Sequence, residues 1–173
     1  MSSPVEPQSD WNAPPASGAP KRHVCITYSL EDQEWQEKLA VQLEVLENFG
    51  VLEPWTDQGA YGVIEIGEMR RQMRDAMDRA AVVILLISAN YLKSPFVRDE
   101  EIPQLMRQKS EEGVRVIPLI VRPCPWQRVP WLKETTPSPK DGIPLSTLSE
   151  AQAEIELATL ATEIADIVAP DQL

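Results

Sequence analysis

Histidine occurs once in this 173-residue chain, and cysteine and phenylalanine twice each, and these scarcities narrow the chemistry at the outset. His23 follows the basic pair Lys21-Arg22 with no ligand cluster beside it in sequence, which argues against a metal site. Cys25 lies in an apolar run, and Cys124 is held between Pro123 and Pro125 with no neighbouring histidine to activate it. A disulfide between the two is one option; two buried free thiols in a reducing compartment is the expectation. Glycine is also sparse, at seven residues, and no glycine-rich loop follows the first apolar run, which counts against a P-loop or dinucleotide-fingerprint fold. The longest apolar run, Ala80 to Ile87, is far too short to span a bilayer, and residues 1–22 lack the apolar stretch of a signal peptide. Basic residues number 16 against 27 acidic ones, and the net charge of −11 opposes bulk attraction to nucleic acid or to an anionic membrane. The expectation is a cytoplasmic domain with no nucleic-acid and no membrane partner.

What is present is enough for a core. Hydrophobic residues make up 43% of the chain, so one ordinary domain folds without disulfide or metal support. Residues 1–22 are rich in Pro, Ser and Ala and offer only Val5 and Trp11 for packing, which reads as a disordered tail. The domain is expected over residues 23–169, with a short C-terminal tail at 170–173.

Within it, His23 to Tyr28 (HVCITY) reads as a first strand, and Ser29-Leu30-Glu31-Asp32 as a turn rich in helix N-cap residues. Trp35, Leu39, Leu43 and Leu46 then mark one apolar helical face that Gly50 ends. Val51 to Trp55 offers a short second strand, poorly paired because of Pro54, followed by a loop at Thr56 to Gly62. Ile66, Met69, Met73, Met77 and Ala80 mark a second amphipathic helix. Ala81 to Ser88 is apolar without alternation, as expected of a strand covered on both faces, and Val114 to Val121 reads as a further buried strand. A helix covers Pro103 to Glu112, residues 122–142 form a long irregular connection, and Ile143-Pro144-Leu145 offers an edge strand. Ser149 is placed to cap a last helix buried through Ala153, Leu157, Leu160, Ile164 and Ile167. Strands alternating with helices imply right-handed crossovers, a parallel sheet and helices on both faces. Ligands of such sheets bind beyond the carboxyl ends of the strands, which puts Tyr28-Ser29, Thr56-Asp57 and Ser88-Asn90 near one rim.

Several segments, in this order, resemble one family. HVCITYSLEDQEW resembles the first box of TIR (Toll/interleukin-1 receptor) domains, and LEPWTDQ their second strand and the loop after it. MDRAAVVILLISANYLKSPFVRDEEIPQLM is similar to the third strand and third helix of bacterial-type TIR domains, and VIPLIVRPCPW with PKDGIPLSTLSEAQAEI to their C-terminal part. The resemblance implies a flavodoxin-like, doubly wound α/β fold with a mainly parallel five-stranded sheet and helices on both faces. The loop after the second strand departs from the family's paired acids and basic residue; here it reads Thr56-Asp57-Gln58.

The resemblance also implies chemistry. Many bacterial TIR domains cleave NAD+ between nicotinamide and ribose with one glutamate at the start of the third helix. The family's acidic-aliphatic-Pro pattern falls on Glu101-Ile102-Pro103, making Glu101 the catalytic candidate, with Glu100 its rival. Pro103 disfavours a helical Ile102 and suits the first helical position, which would set Glu101 at the turn into the helix. Tyr28, Ser29, Asp57, Phe96 and Arg98 are the substrate-binding candidates. Each has an ordinary reading beside the functional one: Tyr28 and Phe96 as core, Arg98 as solvated, Asp57 as a turn former, and Glu100-Glu101 as an acidic first helical turn. NAD+ enters as substrate, with no cofactor or metal, and the other implied partners are further TIR domains in homo-oligomers. A non-catalytic TIR–TIR signalling module shares the fold. The residues disfavour a receiver domain, because that chemistry needs an acid at the end of the third strand, where Ser88-Ala89-Asn90 stand, and a lysine after a later strand, where Val121-Arg122-Pro123 stand.

Overall fold

The computed structural model describes residues 23–53, 71, 75 and 78–170. Three strands form one parallel sheet in the order β1 (His23–Thr27), β2 (Ala80–Ile87), β3 (Arg115–Ile120). The helices among the described residues are α1 (Gln33–Asn48), the short α2 (Ala89–Leu92), α3 (Ile102–Glu112) and α4 (Glu150–Val168). β2 runs between its two partners, with Val83 opposite Cys25 on one side and Val116 on the other. Both its edges are hydrogen-bonded and both its faces covered, so AAVVILLI contains no polar residue.

Side chains alternate across the sheet. Val82, Ile84 and Leu86 join Val24, Ile26 and Leu119 in a core layer closed by α1 and α4. Val83, Leu85 and Ile87 join Cys25, Val116 and Ile120 in a second layer, closed by Tyr91, Val97, Ile102 and Leu105. The α/β/α arrangement with a parallel sheet and helices on both faces is as the flavodoxin-like reading requires.

The helices obey local chemistry. Trp35, Leu39 and Leu43 stand four apart and are buried, and the helix stops where Gly50 turns left-handed at φ +74°. The Ser149 hydroxyl accepts the Gln152 N–H at 3.1 Å and caps α4, whose buried face runs through Ala153, Leu157, Leu160 and Ile164. It ends on Val168 instead of the half-buried Ile167.

Other elements differ from the sequence reading. Val51 to Glu53 form a bend and coil, with Leu52 tucked into the core; the remainder of the expected second strand, the loop with Asp57, and most of the expected second helix lie outside the described residues. Arg71, Asp75, Asp78 and Arg79 are helical, and Ala80 already belongs to β2. Both tails also fall outside the description, apart from Pro170. Ile143-Pro144-Leu145 is no edge strand: Leu145–Thr147 is a 3-10 turn that drives Leu145 into the core. The extra pairing on β3 comes instead from Ser138, which bridges Leu119 in parallel. Pro118 has no N–H with which to extend the pairing backwards, and the chain turns at Lys140, so the bridge does not grow into a ladder. The described residues thus give three strands, against the five expected.

The long connection makes one testable demand. Gly142 has φ +76°, and a Cβ there would lie 3.0 Å from Cζ2 of Trp126. Gly142→Ala is expected to cost about 1–3 kcal/mol, from the left-handed backbone and the contact together, read as a lower urea midpoint at unchanged slope.

Candidate functional site

The parallel strands deliver their carboxyl ends to one rim, where residues distant in sequence meet. Asp32, in the turn after β1, is fully buried and accepts the Arg122 Nε–H at 2.6 Å. The second Arg122 nitrogen reaches Glu34 at 2.8 Å. Ser88, at the end of β2, donates its hydroxyl to Asp32 and accepts the Tyr91 N–H at 3.2 Å. The hydrogen bond to Asp32 holds the Arg122 guanidinium above its ordinary pKa. Asp32 sits at the N-cap position of α1 without capping it, because its carboxylate is engaged by Arg122 and Ser88.

Beside this cluster a second network runs on the face of the sheet covered by Tyr91 and Val97. Glu101 is fully buried, and its Oε2 accepts the Tyr91 hydroxyl at 2.9 Å. The Tyr91 oxygen in turn lies 2.8 Å from Oγ1 of Thr27, the last residue of β1. Glu101 ends a π-helical turn, Val97–Glu101, in which the Ile102 N–H donates to the Val97 carbonyl. Pro103 has no N–H, and in a regular α-helix its ring crowds the carbonyl four residues back. The wider turn carries the chain past it with Ile102 helical at φ −66° and ψ −44°. That corrects the expectation of a non-helical Ile102. α3 itself sets the direction of Glu101, which stands four residues before the buried Leu105 and seven before the buried Gln108. Glu100 is off that face and half-buried.

Titration follows from this burial. Desolvation, then the Glu101 charge, pushes the Cys25 thiol up to about 12 and holds the Tyr91 phenol well above its ordinary range. Both groups therefore stay protonated at neutral pH. At pH 8 a disulfide reagent is expected to label the half-exposed Cys124 and leave Cys25 untouched in the native protein. The thiol's folded pKa lies above its unfolded value of about 8.5. Its contribution to stability is therefore complete below about pH 8.5 and is lost as pH rises toward the folded pKa of about 12. Denaturant midpoints falling between pH 8.5 and 10, less steeply in Cys25→Ala, would verify this.

The described residues hold no His/Cys/Asp/Glu group fit for a metal ion. A groove of about 500 Å³ opens at the amino-terminal end of β3, lined by Lys109, Val116, Glu134, Lys140 and Asp166 among others, away from the strand ends near Glu101. The family model for the TIR domain matches residues 24–158, from β1 into α4 and across both networks.

The chain belongs to the TIR-domain family.

The TIR domain is similar to a protein of Sinorhizobium fredii named "Uncharacterized protein y4lF", with 30% identity over 144 residues. That match covers 82% of this chain and 43% of the relative, so the chain spans less than half the length of the protein it resembles.

Within the TIR domain the candidate residues separate. Tyr28 is buried in the core layer under α1, on the opposite face of the sheet from Tyr91. The Ser29 hydroxyl donates to Glu31. Phe96 is half-buried against the same layer as Tyr91, on the Glu101 side. Arg98 is exposed and grips Asp99 through two hydrogen bonds of 2.7 and 3.0 Å. Asp57 lies outside the described residues. The structure thus brings Phe96 and Glu101 to one side of the sheet and leaves Tyr28 on the other.

Sequence reasoning missed Thr27, Asp32, Tyr91 and Arg122. The one available signal was positional. A polar residue stands at or just after the end of each of three apolar strands, at Thr27, Ser88 and Arg122.

Proposed function

We propose that this TIR domain is an NAD+ nucleosidase that cleaves the bond between nicotinamide and ribose, with Glu101 as its catalytic carboxylate. The observation that carries the reading is an acidic side chain, Glu101, wholly buried at the start of a helix near the sheet rim and accepting a hydrogen bond from a neutral hydroxyl. Departure from a ribosyl centre passes through an oxocarbenium-like state, positive at the sugar. Nicotinamide in NAD+ is already cationic and leaves neutral, so no general acid is needed to protonate it. A fixed negative group beside the ribose, shielded from water, is what such a reaction requires, and it can also accept the ribose hydroxyls. Phe96, half-buried on the Glu101 side of the sheet, is the candidate to stack on a ring, while Arg98 must give up Asp99 before it can meet phosphate.

Self-association activates the enzyme in this reading, as the family resemblance implies, and because Glu101 is wholly buried in the single chain the active form must open a path to it. The cellular setting that follows from the family resemblance is bacterial defence or virulence, in the cytoplasm. The test is nicotinamide release from NAD+ by the purified chain at rising concentration, with and without a crowding agent. Release that climbs faster than linearly with protein supports the proposal; none at any concentration sinks it.

One observation favours a second reading, a non-catalytic TIR–TIR signalling module. Val41 and Val45 on α1 and Phe49 just past its end stand four apart and are 59, 54 and 81% exposed, an apolar stripe suited to another copy. Concentration-dependent assembly that Val45→Asp disrupts, with no nicotinamide release, is the outcome this reading expects.

A further inference from the structure

We propose that Tyr91, braced by Thr27, is a positioning residue for Glu101: its hydroxyl fixes the carboxylate so that the charge is presented to the ribose in one orientation. This rests on the nucleosidase reading.

The direction of the chain of hydroxyls follows from proton counting. The Tyr91 hydroxyl donates to Glu101 Oε2 at 2.9 Å, which uses its single proton. The 2.8 Å contact between Thr27 Oγ1 and the Tyr91 oxygen then requires Thr27 to donate. The order is Thr27 to Tyr91 to Glu101, and each bond polarises the next. Tyr91 is itself immobilised. Its ring is 1% exposed within the second core layer, and its N–H is bound by Ser88, which donates to the Asp32 carboxylate paired with Arg122. The side chain therefore ties the rim cluster to Glu101.

The chemistry explains why a phenol suits this place. A lysine or arginine would orient Glu101 equally well, yet its positive charge would cancel the field that a developing ribosyl cation needs. A neutral donor orients the carboxylate and leaves its charge intact. Burial, then the Glu101 charge, holds the phenol well above its ordinary range, so it remains a donor at neutral pH. Phenylalanine would fill the same volume without a hydroxyl to satisfy.

The experiment is steady-state nicotinamide release by Tyr91→Phe, Thr27→Val, Thr27→Ser and the Tyr91→Phe/Thr27→Val double variant, beside Glu101→Gln, with thermal unfolding of each. The expected result is a kcat lowered ~10–100-fold in Tyr91→Phe with KM unchanged, as for a lost hydrogen bond to a charged group. Thr27→Val should fall in the same direction by a smaller factor, Thr27→Ser should recover it, and the double variant should be no slower than Tyr91→Phe alone. Should Tyr91→Phe fail to fold, the Val and Ser pair at Thr27 carries the test. Wild-type kcat in Tyr91→Phe or Thr27→Val, with Glu101→Gln silent, overturns the positioning role and leaves the nucleosidase reading standing. Absence of nicotinamide release from the wild-type chain, or full release by Glu101→Gln, overturns both.

Discussion

Glu101→Gln is expected to lower nicotinamide release by ~10²–10³-fold or more, the scale of losing a fixed electrostatic group in a water-excluded site. Glutamine keeps the shape and still offers an oxygen to the Tyr91 hydroxyl, so the fold and any self-association should be unchanged. Only the charge is lost. Glu100→Gln is the informative contrast: it lies off the face that α3 shares with Leu105 and Gln108, and a change within about threefold is expected. Chromatographic quantification of nicotinamide, alongside sedimentation of both variants, separates a chemical defect from an assembly defect. A Glu101→Gln protein as fast as wild type would falsify the assignment.

Arg122→Met should be the most damaging substitution outside the apolar core. Asp32 is fully buried, and its charge is compensated by Arg122 Nε at 2.6 Å and by the Ser88 hydroxyl. Removing the guanidinium leaves a buried carboxylate with one hydroxyl donor. Breaking one side of a buried pair costs ~3–5 kcal/mol; because the Arg122 side chain is 37% exposed, about 2–4 kcal/mol is the better expectation. Asp32→Asn in the same chain should restore part of the loss, since the orphaned charge disappears with it. Urea unfolding of the two single variants and the double variant measures the coupling; additive losses would mean that the pair contributes nothing specific. The same cluster anchors the Tyr91 backbone through Ser88, so turnover in Arg122→Met should fall further than the remaining folded fraction explains.

Much of the fold was legible because its signals are local. AVVILLIS is apolar without alternation, as a strand covered on both faces is, and VRVIPLIV is apolar over most of its length; β2 and β3 lie there. Trp35, Leu39 and Leu43, and the Ser149 cap with its buried face, follow from helical spacing and one hydroxyl. The misreadings involve proline. Pro144 led into a 3-10 turn where an edge strand was expected, and Ile102 is helical, entered through a π turn, where Pro103 was expected to disfavour that, although α3 does begin there. In both cases the missing N–H was evident in sequence, but how the backbone would accommodate it was not.

The sequence by itself determined that a two-faced parallel sheet would form and that an acidic residue would stand where α3 begins, since periodicity and capping act between residues a few positions apart. Only the tertiary structure decided that Glu101 turns inward beneath Tyr91, that Thr27 meets Tyr91 across 64 residues, and that Asp32 meets Arg122 across 90. Those meetings depend on which strands pair and in what register, and no local propensity records the distance between groups brought together by the packing of a sheet.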